Sequence, residues 1–98
     1  MRHALAPVLL ALLTACGGRQ RTRIEGAYRF ECDPPDARIV LDEVDQGPCA
    51  LWTSRWLGVG PGMHRLQIVR EGFLPQESDL VPQRRRVSVR VQLRRVPE

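Results

Sequence analysis

From Arg86 to Arg94 apolar and polar residues alternate without a break, and that period of two constrains the chain more than any other feature. Val87, Val89, Val91 and Leu93 fall on one side, and Arg86, Ser88, Arg90, Gln92 and Arg94 on the other. Such a segment packs one face and leaves the other wet, as a strand does in an antiparallel sheet with one solvated side. The same period sets Tyr28, Phe30 and Cys32 against Arg29, Glu31 and Asp33, and Ala37, Ile39 and Leu41 against Arg38 and Val40. Leu66 and Ile68 mark a further strand within Met63 to Arg70. Phe73 to Leu80 is a weaker run, and Pro75 places it at a sheet edge. Ala50 to Leu57, with two tryptophans, is open between a strand and a short helical turn. Turns are expected at Pro34-Pro35-Asp36, Asp42 to Pro48, Gly58 to Gly62, Glu71-Gly72 and Pro82-Gln83. With no convincing helical period, the expected fold is all-β, a small antiparallel β-sandwich.

Ahead of this domain the chain has a different character. Arg2 and His3 precede an apolar run from Ala4 to Leu13, interrupted by Pro7 and about half of the ~20 residues a spanning helix needs. Small residues and Cys16 follow, the layout of a secretory signal. Leu13-Thr14-Ala15-Cys16 resembles a bacterial lipobox. That resemblance implies cleavage before Cys16 and acyl chains, palmitate among them, on its sulfur and amine. An ordinary secretory signal would want a small residue where Leu13 stands. The expected organisation is a signal peptide over 1–15, a lipidated cysteine and flexible tether over 16–26, and a β-domain over 27–98. Gly17, rather than an aspartate, after the cysteine resembles sorting to the outer rather than the inner membrane.

The chain has 98 residues, so what remains after cleavage is one small domain with a modest core. All 15 basic residues are arginine. Cleavage removes Arg2 and no acid, leaving 14 arginines against 11 acids, a net charge of +3. Acids dominate from Glu25 to Asp45, whereas Arg84 to Arg95 holds six arginines and no acid. A dipolar domain of this kind can orient on a charged surface, though solvated strand faces are the commoner source of such a pattern. Cys16 is consumed by the lipid, so Cys32 and Cys49 remain as a pair that an oxidising compartment can bridge. Two reduced, buried thiols are the alternative. Their spacing fits neither CxxC redox nor zinc chemistry.

The order of these features resembles a PEGA domain, a small β-module of bacterial surface and envelope proteins. Its Pro-Glu-Gly-Ala motif and following strand correspond to Pro34-Pro35-Asp36-Ala37 and Arg38 to Asp42. Its Pro-Gly-x-His corresponds to Pro61-Gly62-Met63-His64, its Gly-aromatic to Gly72-Phe73, and its terminal alternating strand to Arg86 to Leu93. Departures are Glu43 where a glycine is usual, Gly47-Pro48-Cys49 for Gly-x-Thr-Pro, and a longer insert carrying Trp52 and Trp56. The resemblance spans about 60 residues and implies a non-catalytic binding or scaffolding module.

Chemistry-bearing residues are few. With His3 removed, His64 is the one remaining imidazole, and Ser54, Ser78 and Ser88 lack the setting of a nucleophile. Hydrogen bonding to its turn is the commoner role for such a histidine. Asp42, Glu43 and Asp45 lack the spacing of a calcium loop, and no phosphate-cradling glycine loop occurs, so neither a metal nor a cofactor is expected. Arg84, Arg85 and Arg86 can contact anionic lipid or glycan, secretion having removed nucleic acid as a partner. Trp52 and Trp56 can form an exposed platform for sugar or protein, or supply core. The expected protein is a non-catalytic envelope lipoprotein, attached to the membrane through Cys16, whose β-module meets a glycan or another envelope protein. The alternative is a small envelope enzyme or enzyme accessory using His64.

Overall fold

A computed structural model describes residues 23–98. The expected signal peptide, the lipidation of Cys16 and most of the tether lie outside the described residues. Seven strands follow in order: β1 (Gly26–Asp33), β2 (Arg38–Leu41), β3 (Val44–Pro48), β4 (Leu57–Val59), β5 (His64–Val69), β6 (Gln76–Leu80) and β7 (Arg86–Gln92). They form two sheets, ordered β4-β1-β7 and β3-β2-β5-β6, with the core between them. The fold is therefore the small all-β sandwich that the alternation implies.

The core follows the period of two. Tyr28 and Phe30 of β1, Leu57 and Val59 of β4 and Val91 of β7 face Ile39 of β2, Leu66 and Ile68 of β5 and Leu80 of β6. Phe30, Ile39 and Ile68 are fully enclosed, and each contributes about 1.5–3 kcal/mol of apolar burial. As the edge reading of Phe73 to Leu80 requires, β6 begins just after Pro75 and is outermost in its sheet.

One pairing departs from an all-antiparallel plan. β1 and β7 run parallel, with Tyr28 opposite Val87, Phe30 opposite Val89 and Cys32 opposite Val91. Parallel neighbours need a long crossover, and here the whole second sheet supplies it.

Two expected turns are shorter in the structure. Asp42 to Pro48 reads as a turn in sequence, but the reversal is confined to Asp42 and Glu43. Their φ values of 51° and 67° form the two-residue loop of a tight hairpin. Val44–Pro48 then pairs with β2 as an edge strand, its register shifting at Gly47, where φ is 102°. Its composition, Val-Asp-Gln-Gly-Pro, hid it, because an edge strand need bury little. Gly58 to Gly62 also reads as irregular, yet Gly58 and Val59 belong to β4. The exposed Ile24 side chain crosses over Gly58: a β-carbon at that position would lie 2.8 Å from Ile24 Cδ1. The tryptophan-bearing segment forms a 3-10 turn over Cys49–Trp52, resolving the open choice.

The topology gathers specific segments at one pole. Glu25 N–H donates to the Val59 carbonyl (2.8 Å), Ala27 N–H to Arg85 (3.1 Å) and Asp42 N–H to Arg65 (2.8 Å). His64 lies opposite Leu80. The start of the described chain, the Gly60–Met63 and Val81–Arg85 connections and the Asp42–Glu43 turn therefore share one end of the sandwich.

Candidate functional site

The outer face of the three-stranded sheet carries the richest side-chain arrangement. Alternation turns Arg29 and Glu31 of β1 outward beside Ser88 and Arg90 of β7, because the parallel register sets Arg29 opposite Ser88 and Glu31 opposite Arg90. Trp56, just before β4, lies against this face. Its ring centroid is 4.9 Å from Arg29 Cζ and 5.2 Å from Arg86 Cζ. Arg86 reaches the ring across β1 because its partner there is Ala27, whose other neighbour is Gly58. Guanidinium planes stacked on an indole keep their N–H edges free for a carboxylate or phosphate. Arg29 spends its Nε–H on Ser88 Oγ (3.0 Å), and Arg90 donates to Glu31 Oε1 (3.2 Å). Three arginines against Glu31 and Asp33 leave the face with a net positive charge. An open cleft of about 600 Å3 shares Arg29 with this stack and is lined also by Ser88, Arg90 and, as a wall, Thr53.

That wall is held by covalent and polar ties. Cys32 and Cys49 are bridged, with their Cα atoms 6.1 Å apart, which fastens the 3-10 turn to β1. Four residues beyond Cys49, Thr53 Oγ1 donates to the Phe30 carbonyl (3.0 Å). Here β1 has run past its pairing with β4, which ends at Tyr28, so the Thr53 hydroxyl meets a carbonyl no strand covers.

The other sequence candidates are distributed differently. Trp52 packs half-buried against the core, and its Nε1–H donates to the Gln46 carbonyl (3.0 Å), so it does not join Trp56 in a platform. The arginine run divides. Arg86 belongs to the Trp56 face, whereas Arg84 pairs with Glu25 (3.0 Å) and Arg85 sits at the pole where the described chain begins. Arg29 and Arg90 were not singled out from the sequence. The alternation exposes both, but only the β1–β7 register brings them to one surface.

His64 is engaged at both ring nitrogens. Nδ1 lies 2.6 Å from Asp42 Oδ2 and Nε2 lies 2.7 Å from the Gly60 carbonyl. A carbonyl and a carboxylate both accept, so the ring donates twice as imidazolium. The Asp42 hydrogen bond, aided by the Gly60 carbonyl, raises the His64 pKa above its ordinary value despite burial. The same bond, with the Arg65 amide on the other oxygen (2.9 Å), lowers that of Asp42. Asp45 is likewise taken, by Arg38 Nε (2.7 Å) and the Gly47 amide (2.8 Å). Among the described residues no group of three or more His, Cys, Asp or Glu side chains is placed to hold a metal ion. No protein-family model matches the chain, and neither does any curated protein or solved structure.

Proposed function

We propose that this protein is a non-catalytic lipoprotein of the bacterial envelope, held through Cys16 in the outer rather than the inner membrane. Its PEGA-like β-domain binds an anionic glycan on the Trp56 face. The observation that carries the reading is the indole of Trp56 held by two arginines, at 4.9 and 5.2 Å, one of which, Arg29, also lines an open cleft. Stacking fixes the guanidinium groups without consuming their charge, so they present preorganised donors to carboxylates along a sugar chain. The Leu13-Thr14-Ala15-Cys16 motif supports the anchor, and the order of turn motifs from Pro34 to Phe73 supports the module class. A His64 ring occupied at both nitrogens supports a structural rather than a catalytic imidazole.

The test is binding of the purified mature protein to peptidoglycan fragments and to an acidic polysaccharide, followed by Trp fluorescence. Saturable binding that weakens at least tenfold in Arg29→Ser/Arg86→Ser supports the reading. Absence of saturable binding to either removes it and leaves the face to a protein partner. Mass spectrometry of Cys16 tests the anchor separately.

A further inference from the structure

We propose that the pole at which the described chain begins is a membrane-docking tip, which sets the sandwich upright on an anionic lipid surface. The inference rests on the lipid-anchor reading, not on the glycan reading, and concerns a different part of the molecule.

Four large apolar side chains stand exposed at this pole: Met63 at 70%, Ile24 at 66%, Val44 at 59% and Val81 at 52%. Around them are Arg23, Arg84 and Arg85, with Glu25 shared between Arg23 (3.5 Å) and Arg84 (3.0 Å). The other acids at this end are Asp42, neutralised by His64, and Glu43 on the hairpin turn. Exposed apolar residues ringed by arginine suit a headgroup region, where apolar side chains enter the acyl boundary and cations meet phosphate.

Chain length makes the same demand. Six residues separate Cys16 from Arg23, and two of them, Arg19 and Arg21, are basic. At ~3.5 Å per residue the chain from Cys16 to Arg23 reaches ~25 Å at most, less than the ~26 Å of β1 plus the turns at either end that it would have to pass to bring the far pole to the bilayer. An acylated Cys16 therefore holds Met63, Val81 and Arg85 next to the headgroups. With the pole down, the strands stand along the membrane normal and the Trp56 face points sideways, open to a polymer lying parallel to the membrane.

The mature chain contains one methionine, Met63, because Met1 leaves with the signal. Its thioether is a native reporter, since peroxide converts exposed methionine to the sulfoxide and an occluded one reacts slowly. The mature protein, isolated from its membranes, is dialysed into vesicles of phosphatidylcholine alone or with one part in three phosphatidylglycerol, and Met63 oxidation is followed by mass spectrometry. Oxidation about fivefold slower on the anionic vesicles is expected, with Arg84→Ser/Arg85→Ser or high salt abolishing the difference. Equal rates on the two vesicles overturn the proposal. The same spectra report the acyl mass on Cys16. Acylated protein with unprotected Met63 sinks the docking tip and spares the anchor, whereas protected Met63 on unacylated protein does the reverse.

Discussion

Breaking the Cys32–Cys49 bridge should lower the stability of the domain by about 3 kcal/mol without dismantling the Trp56 face. The two cysteines are 17 residues apart, and closing a loop of that length removes about 3 kcal/mol of chain entropy from the unfolded state at 25 °C. A domain of this size is stable by about 4–11 kcal/mol, so the bridge accounts for about a quarter to three quarters of the total. At about 4–8 °C per kcal/mol, the melting temperature should fall by about 12–24 °C. The native contacts argue that the fold persists at 25 °C. Cys49 stays enclosed in the core, its amide still donates to the Ala37 carbonyl (2.6 Å), and Thr53 still holds Phe30. The assay is thermal unfolding by circular dichroism with and without reductant, the free thiols being counted, and with Trp56 fluorescence read at 25 °C in a Trp52→Phe background. A fall of less than about 4 °C with both thiols free would refute the loop-closure argument. Loss of the native Trp56 signal at 25 °C would refute the claim that polar ties hold the wall unaided.

Three further outcomes follow from the same geometry. The folded pKa of His64 is raised, so its ion pair adds stability that is complete below the unfolded histidine value and is lost as pH rises through the folded value. Asp42 is lowered, so its share is present above the unfolded carboxyl value and is lost as pH falls through the folded one. Urea midpoints should therefore plateau between about pH 4 and 6.5. Above that they should decline, modestly because the Asp42 side chain is 50% exposed; Asp42→Asn should flatten the decline, and an unchanged profile in that variant would exclude the pair as its source. Gly26→Ala should cost about 1–3 kcal/mol, because its β-carbon would lie 2.9 Å from Pro82 Cβ and 3.3 Å from the Arg85 carbonyl. Gly58→Ala should cost less than about 1 kcal/mol, since it meets only the exposed, movable Ile24; urea titration giving the reverse order would contradict the packing described for the two positions.

Legibility in the sequence tracked burial on one face. β1, β2, β5 and β7 were readable because each sets buried against exposed residues at strict period two, and β6 because Pro75 marks where an edge strand can start. β3 and β4 were not, for a shared reason: each is an edge strand whose pairing is settled by a neighbour rather than by its own composition. The candidate site was legible by halves. Trp56 and Arg86 stood out by residue type, but nothing local separates Trp56 from Trp52. Their difference comes from the 3-10 turn, which points one indole at the Gln46 carbonyl while the other lies on the sheet. Arg29 and Arg90 depended on a pairing between strands 59 residues apart in sequence, which no local pattern encodes.

The parallel pairing of β1 with β7 has consequences beyond topology. Had β7 run antiparallel to β1, its first residue would lie at the far pole, and the Arg84-Arg85-Arg86 run would stand away from the start of the described chain. In the parallel arrangement the run arrives at that start, with Arg85 accepting the Ala27 amide and Arg84 meeting Glu25. The start of β7 then separates its members: Arg86 enters the strand facing outward and crosses Ala27 to Trp56, while Arg84, at φ 49°, and Arg85 precede the strand and remain at the rim of the pole. Three consecutive arginines thus lie on two surfaces, the pole and the outer face of the three-stranded sheet. Replacing Arg86 should therefore impair glycan binding and leave Met63 protection intact, whereas replacing Arg84 and Arg85 should do the opposite. Loss of both functions in either variant would mean that the two surfaces are one.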